Sequence, residues 1–168
     1  VFWLLDFVGY RKADISAEKI VDVTKPKIEK QKEFVLPTFA GSNAYLYNYL
    51  MHERGIAKEV IDHFVKEGVL YEAKGYHNMV FVGKDKSGTP RFASMRGVFD
   101  KKGKPFKCDV AGNDKNHGFH TVNMNSPRII VFEAAIDLLS YMTLFPNEKC
   151  TMVALGMLAE APLETLLN

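Results

Sequence analysis

Cysteine, tryptophan and long apolar runs are scarce in this sequence of 168 residues. The two cysteines, Cys108 and Cys150, are too few for a disulfide framework or a four-ligand zinc site, so we expect reduced thiols and no zinc. No apolar stretch reaches the roughly 18 residues that span a bilayer, and the sequence shows no signal peptide. These absences predict a cytoplasmic protein that does not bind a membrane.

An excess of charge of one sign is lacking as well. The chain carries 22 basic and 20 acidic residues, so its net charge is +2 and no strong overall field attracts a nucleic acid. Binding of a nucleic acid therefore requires a local patch. A hydrophobic fraction of 47% is enough for a core, and the length suits one domain or two small ones that share an interface. Because the chain begins with Val1, we expect it to be a piece of a longer protein.

Residues 1–33 predict a helical segment followed by a basic linker. An apolar stretch at 2–7 and the N-cap candidate Ser16 favour two short helices. The stretch 24–33 contains Pro26 and four lysines, a composition that is typical of a solvated connector.

Residues 34–125 predict a subdomain of helices and antiparallel strands. One helix is expected to begin after Ser42 or Asn43 and to end at Gly55, and an amphipathic second helix is expected to end at Gly68. The pair resembles a helix-turn-helix, but it has no basic recognition face, so we do not expect it to read DNA.

Strand and turn signals alternate after the second helix. Apolar stretches at 79–82 and 90–98 flank a turn at 84–88, and a second turn follows at 100–103. This order predicts an antiparallel meander. Residues 109–125 are rich in Gly, Asn, Asp, His and Lys, and they predict a loop.

Residues 126–168 predict a strand–helix–strand unit. Four apolar residues at 129–132 predict a short buried strand that ends at Glu133. A helical pattern follows at once and runs to about Phe145, and another apolar strand covers 151–155.

Glu133 and Asp137 are the candidate catalytic and metal-binding residues. Buried parallel strands present functional residues at their carboxyl ends, where the next helix begins, and Glu133 occupies that position. Asp137 lies one helical turn further, so both carboxylates are expected to face one crevice, which suits a divalent metal or proton transfer. The alternative is that Glu133 only stabilises the start of the helix and that Asp137 is a solvated helix residue. His117 and His120 have no third ligand nearby, so we expect no metal there.

The segment from Ile129 to Asp137, Ile-Ile-Val-Phe-Glu-Ala-Ala-Ile-Asp, resembles the opening motif of Toprim domains, the catalytic modules of DnaG-type primases and topoisomerases. That motif is an apolar strand followed by Glu, Gly, two variable residues and Asp, and Ala134 stands here in place of the glycine. Val153-Ala-Leu-Gly156 resembles the second Toprim strand and the glycine after it. The later Asp-x-Asp pair of the family, which holds magnesium, does not occur in this chain.

The upstream sequence extends the resemblance to about residues 42–160. Segments 49–56 and 60–64 resemble the repeated-helix part of the primase core, and segments 88–97 and 106–115 resemble its basic part. More closely, residues 78–144 resemble the uncharacterised domain that precedes Toprim modules in plasmid- and transposon-borne proteins. The resemblance implies an α/β (α+β) fold, with a primase-core-type subdomain followed by the first βαβ part of a Toprim-like sheet.

The same resemblance implies a function. Glu133 would be the general acid or base, and Glu133 with Asp137 would form an incomplete site for Mg²⁺ or Mn²⁺. The implied protein is a primase-like enzyme, or a fragment of one, in the replication or transfer of a mobile element, with weak or no activity in this form. Its implied partners are single-stranded DNA or RNA, nucleotides, and replication or conjugation proteins.

Arg91 and Arg96, with Lys107 and Lys115 behind them, are the candidate nucleic-acid-binding residues, because guanidinium groups engage phosphate bidentately. Positions 91 and 96 differ by an odd number, so a regular strand points their side chains to opposite faces. Only a bulge or a strand end between them lets both line one groove. The alternative is that both are solvated surface residues.

Two other functions stay open. A non-catalytic nucleic-acid-binding or protein-docking module would keep the Toprim scaffold without its chemistry. A small-molecule α/β enzyme would need a deep apolar pocket beside Glu133 and no basic groove.

Overall fold

The computed structural model describes residues 33–101, 104–156 and 160–167. The helices and linker expected in residues 1–33 therefore lie outside the described residues, apart from Glu33. The described residues form one compact unit of helices and two small sheets, which is a mixed α+β architecture. The domain boundary expected near residue 125 stays a prediction.

The two expected helices are confirmed. Helix α1 (Ala44–Asn48) continues into a π-helical turn (Tyr49–Glu53), and helix α2 spans Lys58–Lys66. Gly55 and Gly68 follow them with φ of 66° and 68°, in the left-handed region where a residue without Cβ ends a helix at least cost. The helices bury four large apolar side chains completely: Leu46, Leu50, Ile61 and Phe64.

The first sheet is the expected antiparallel meander with one additional strand. Its order is β1-β2-β3-β4, and the strands are β1 (Leu70–Glu72), β2 (Met79–Lys84), β3 (Pro90–Lys101) and β4 (Lys104–Asp109). One register row runs across all four strands through Glu72, Met79, Arg96 and Lys107. Residues in one row project from the same face of a sheet, so these four side chains share a face.

The second sheet contains the expected βαβ unit. Its order is β5-β7-β6, with β5 (Phe119–Thr121), β6 (Ile129–Phe132) and β7 (Thr151–Ala154); β6 and β7 are parallel and helix α3 (Ala135–Leu144) joins them. A final helix, α4, covers Ala161–Leu167.

Two expectations about this second sheet were wrong. Strand β5 lies inside the segment predicted to be a loop, because Phe119 inserts into the core and is only 1% exposed. Strand β6 was predicted to be buried, but it is the edge strand of its sheet and Val131 is 40% exposed. An apolar run indicates a strand but does not tell whether a neighbour covers it on each side.

The two sheets share one core and touch through their backbones. A Cβ atom on Gly83 would lie 2.4 Å from the carbonyl oxygen of Gly118, so no side chain fits between β2 and the segment before β5. Phe119 packs against both Phe64 and Phe81, with ring centroids 4.8 and 5.4 Å apart. The helices, the first sheet and the second sheet are thereby held in one body.

Candidate nucleic-acid interface

The structure divides the four predicted cations into two pairs. Arg91 and Lys115 are each neutralised by a neighbouring carboxylate. Nε of Arg91 donates to Oδ2 of Asp85 over 2.7 Å, and Lys115 pairs with Asp109. A phosphate that approached either cation would have to compete with these carboxylates.

Strand β3 has a bulge, but it is at Arg91 itself and not between Arg91 and Arg96, and it does not bring the two arginines together. Pro90 pairs with Lys84 and Phe92 with Gly83, which leaves Arg91 as an extra residue without a partner on β2. Arg91 stays beside the β2–β3 turn, and Arg96 lies five residues further along the strand, about 16 Å away. The four cations therefore do not form a single patch.

Arg96 and Lys107 face each other across β3 and β4. Their Cα atoms are direct register partners, and within the described part of the chain neither side chain has an ion-pair partner. Nε of Arg96 is buried and has no hydrogen-bond partner among the described residues. A buried donor without a partner is costly, and it is satisfied when a ligand oxygen supplies the missing acceptor.

A groove of about 680 Å³ opens in front of Arg96. The α1–π helix forms one wall and β3 forms the other. Its lining residues, which define the Arg96 groove, are Tyr45, Asn48, Tyr49, Glu53, Arg54, Arg96, Gly97, Val98 and Phe99. Two guanidinium groups and one carboxylate line it, so its net charge is positive.

A second hollow of about 590 Å³ adjoins the groove. It is lined by Gly75, Tyr76, His77, Asn78, Gly97, Phe99 and Phe106, and we call it the aromatic hollow. Tyr76 is 81% exposed, Phe99 51% and Phe106 47%. Gly97 and Phe99 line both cavities, so the groove and the hollow adjoin at these two residues.

An irregularity in the β3–β4 pairing accompanies the exposed position of Phe99. Arg96 pairs with Lys107 and Asp100 with Pro105, so three residues of β3 stand opposite Phe106 alone. Such a bulge reorients side chains locally. The ring centroid of Phe99 lies 5.5 Å from that of Tyr45 on helix α1.

Glu72 holds in place the segments that carry Tyr45 and His77. It is 1% exposed, and its Oε2 accepts hydrogen bonds from the backbone N–H groups of Tyr45 (3.0 Å) and Leu46 (3.1 Å). Its Oε1 lies 2.5 Å from Nδ1 of His77, whose φ of 55° is unusual for a residue with a Cβ. The His77 ring packs on Tyr45 with centroids 4.4 Å apart. One buried carboxylate thus positions both α1 and the β1–β2 turn.

Sequence reasoning missed the aromatic residues of this site. Arg96 and Lys107 were identified by charge, whereas Tyr76, Phe99 and Phe106 received no functional interpretation from the sequence. A signal was available, because Tyr76 follows a glycine in a turn and Phe99 stands beside the turn at 100–103, and aromatic residues at such positions are rarely needed for a core.

The predicted acidic pair is less compact than the sequence suggested. Glu133 precedes Ala134, the extended N-cap residue of α3 (φ −127°, ψ 153°), so Glu133 lies outside the helix and is not one helical turn from Asp137. Both side chains are exposed. Within the described ranges no three His, Cys, Asp or Glu side chains come close enough to hold a metal ion. A metal at Glu133 and Asp137 would take its other ligands from water, substrate or other parts of the protein.

One of the predicted cations does approach the carboxyl end of β6. The backbone N–H of Gly156 donates to the carbonyl of Glu133 over 3.0 Å, and a Cβ on Gly156 would lie 3.7 Å from Cζ of Phe92. Nζ of Lys115 lies 5.9 Å from the centre of the Phe92 ring. Lys115 and the backbone of Glu133 therefore flank the same Phe92–Gly156 contact.

A larger cleft of about 1250 Å³ separates the β2–β3 turn from α4. His117 and His120 line it, and Nδ1 of His120 lies 2.8 Å from the carbonyl of Gly118. Nδ1 of His117 is buried 3.3 Å from Oδ2 of Asp114, but the geometry of that contact is not that of a hydrogen bond. Lys84 and Lys86 line the cleft as well as Asp85, but no described Tyr, Phe or Trp side chain does, so it suits a single strand less well than the Arg96 groove.

No described helix has the length and apolarity needed to cross a membrane.

Part of this chain is similar to a protein family of unknown function. Residues 48–125 match the model of the family described as "Protein of unknown function (DUF3991)". An "Uncharacterized protein pXO2-78" of Bacillus anthracis is 35% identical over 100 residues, which cover 57% of this chain and 29% of that protein, so the match spans under a third of the relative's length. No solved structure gave a significant match. The similarity to a domain of unknown function and to an uncharacterised plasmid-borne protein agrees with the sequence analysis, and the Toprim and primase resemblance stays a prediction.

Proposed function

We propose that this chain binds single-stranded nucleic acid along the Arg96 groove. The observation that carries this proposal is that Arg96, whose buried Nε has no hydrogen-bond acceptor among the described residues, lines a groove together with Arg54 and exposed aromatic rings. Lys107 stands directly opposite Arg96 on β4 and adds a further cation without a carboxylate partner in the described chain.

The combination of cations and exposed rings favours a single strand over a duplex. Guanidinium groups bind phosphate oxygens in either case. Aromatic side chains contribute only when the faces of bases are accessible, and in a duplex those faces are stacked on one another. Base stacking on an aromatic side chain is worth about 1–3 kcal/mol per base and tolerates any sequence. Tyr45, Tyr76, Phe99 and Phe106 supply such faces.

Direct titration tests this proposal. Fluorescently labelled single-stranded DNA, single-stranded RNA and duplex DNA of one length are titrated with the protein at several salt concentrations. We expect at least one single strand to bind more tightly than the duplex, with an affinity that falls as salt rises. Glu53→Gln removes the carboxylate from the groove and should tighten binding. Equal or stronger duplex binding contradicts the proposal.

A second proposal concerns the longer protein. We propose that it is a primase-like enzyme of a mobile element in which Glu133 and Asp137 take part in nucleotidyl transfer. The supporting observation is the parallel β6–α3–β7 unit, in which Glu133 follows β6 and its carbonyl accepts a hydrogen bond from Gly156 after β7. Bound Mg²⁺ or Mn²⁺ would activate the attacking oxygen and stabilise the leaving phosphate. The basic segment upstream would guide the strand or nucleotide toward this edge, and replication or conjugation proteins would be the partners.

A further inference from the structure

We infer that the aromatic hollow is a subsite for one unstacked nucleobase, next to a phosphate subsite at Arg96. This inference rests on the proposed binding of a single strand and states how that strand is held.

The lining of the hollow suits a flat aromatic ligand. Its volume of about 590 Å³ lies within the roughly 300–1000 Å³ that is usual for small-molecule sites. Phe99, Phe106 and Tyr76 offer ring faces at its walls, and all three are exposed to solvent without a covering element in the described chain. Rings so placed offer stacking surfaces for a base.

Gly97 keeps the hollow open. A Cβ atom there would lie 3.2 Å from Cβ of Phe106 and 3.6 Å from Oδ1 of Asn78. A side chain at position 97 would therefore enter the hollow and press on the Phe106 wall. A glycine inside a strand often marks a place where a ligand comes close to the backbone.

The two subsites meet at Gly97 and Phe99. Arg96, with its unsatisfied Nε, lines the groove; Gly97 and Phe99 line both cavities. Because the Phe99 ring lines both cavities, a phosphate bound in the groove would place the base of its own or the adjoining nucleotide near the mouth of the hollow. The side chain of Asn78 lines the hollow and carries both a donor and an acceptor for the edge of a base.

The charge around the hollow argues for a nucleotide rather than an apolar peptide side chain. Arg96 lines the adjoining groove and Lys107 is its register partner, and neither has an ion-pair partner in the part of the chain that the structure describes. An occupant with an aromatic ring and an adjacent anion matches both features, and a nucleotide of a single strand has both.

An abasic strand that carries one central thymine tests the inference. We expect this strand to bind wild-type protein about 5- to 150-fold more tightly than the fully abasic strand of the same length, and a ribose version tests RNA in the same way. Gly97→Ala and Phe99→Ala should each remove most of this gain. Phe145→Ala, at an exposed ring outside both cavities, should leave it unchanged. Thermal unfolding establishes that each variant is folded.

The outcomes separate this inference from the proposed function. If wild-type protein binds both strands equally, or if Gly97→Ala keeps the full gain, the base subsite is wrong although strand binding stands. If a free aromatic peptide displaces the thymine strand better than thymidine monophosphate does, the hollow is a peptide site. If neither the abasic strands nor ordinary single strands bind at low salt, the proposed function itself is wrong.

Discussion

Oε1 of Glu72 lies 2.5 Å from Nδ1 of His77. The other oxygen of the same carboxylate accepts two backbone N–H groups at the start of helix α1. The buried end of β1 therefore holds together two segments that carry rings of the proposed site, Tyr45 on α1 and His77 in the β1–β2 turn. The stability of the fold and the shape of the Arg96 groove depend on the same side chain.

Replacing Glu72 by alanine should destabilise the protein strongly. The substitution leaves the N–H groups of Tyr45 and Leu46 without an acceptor and His77 without its partner. We expect a loss of about 3 kcal/mol in the free energy of unfolding, measured by urea denaturation. Glu148→Ala, which removes a surface ion pair with Arg128, is the control and should cost less than about 1 kcal/mol. Equal losses in the two variants would contradict the role of Glu72.

A methyl group at Gly83 should also be poorly tolerated. Its Cβ would lie 2.4 Å from the carbonyl oxygen of Gly118, which belongs to backbone and cannot rotate away. We expect Gly83→Ala to lower the free energy of unfolding by about 1–3 kcal/mol, while the exposed Lys86→Ala leaves it nearly unchanged. An unaltered denaturation midpoint in Gly83→Ala would mean that the two sheets do not meet at this point.

The β2–β3 turn should depend on acid pH through Asp85. Hydrogen bonds from Ser87 and Arg91 hold the pKa of the Asp85 carboxyl well below its usual range. Because the folded state has the lower pKa, the stabilisation is complete above the unfolded pKa of about 3.9 and is lost as pH falls below it. Thermal unfolding between pH 6 and pH 2 should therefore show a steeper acid loss in wild-type protein than in Asp85→Asn. Parallel pH profiles would exclude this contribution.

Glu133→Gln in the full-length protein tests the enzymatic proposal. Template-dependent primer synthesis is measured while Mg²⁺ or Mn²⁺ is titrated. We expect the substitution to reduce synthesis at least about 100-fold, since it removes the proposed general acid or base, and Asp137→Asn to shift the metal dependence. Glu148→Gln serves as the matched control. Synthesis that is unaffected by Glu133→Gln would rule out the proposed role.

Local signals in the sequence predicted most of the elements. Gly55 and Gly68 marked the helix ends, and the turn residues at 84–88 marked the β2–β3 hairpin, because these features depend on backbone conformation within a few residues. Strand β5 was missed because its burial comes from one residue, Phe119, that inserts between distant elements. The edge position of β6 was missed for the same reason, since neighbours in a sheet are not encoded locally.

In the candidate site, too, local sequence predicted some features, whereas contacts between distant residues decided the others. Charge identified Arg96 and Lys107, and their pairing followed once β3 and β4 formed a hairpin. The sequence did not show that Asp85 and Asp109 neutralise Arg91 and Lys115, because these ion pairs depend on how the turns close. The aromatic hollow depends on the irregular β3–β4 pairing in the stretch of β3 from Arg96 to Asp100, which no local sequence pattern predicts.

The central claim is that the Arg96 groove binds single-stranded nucleic acid. It is tested most directly by comparing the salt dependence of single-strand binding in Arg96→Ala and Arg91→Ala. The two arginines lie five residues apart on one strand, but only Arg91 is ion-paired in the described chain. We predict that Arg96→Ala weakens binding and reduces the slope of log K against log salt by about 1, and that Arg91→Ala keeps the wild-type slope. An unchanged slope in Arg96→Ala, or an equal loss in Arg91→Ala, would contradict the proposed groove.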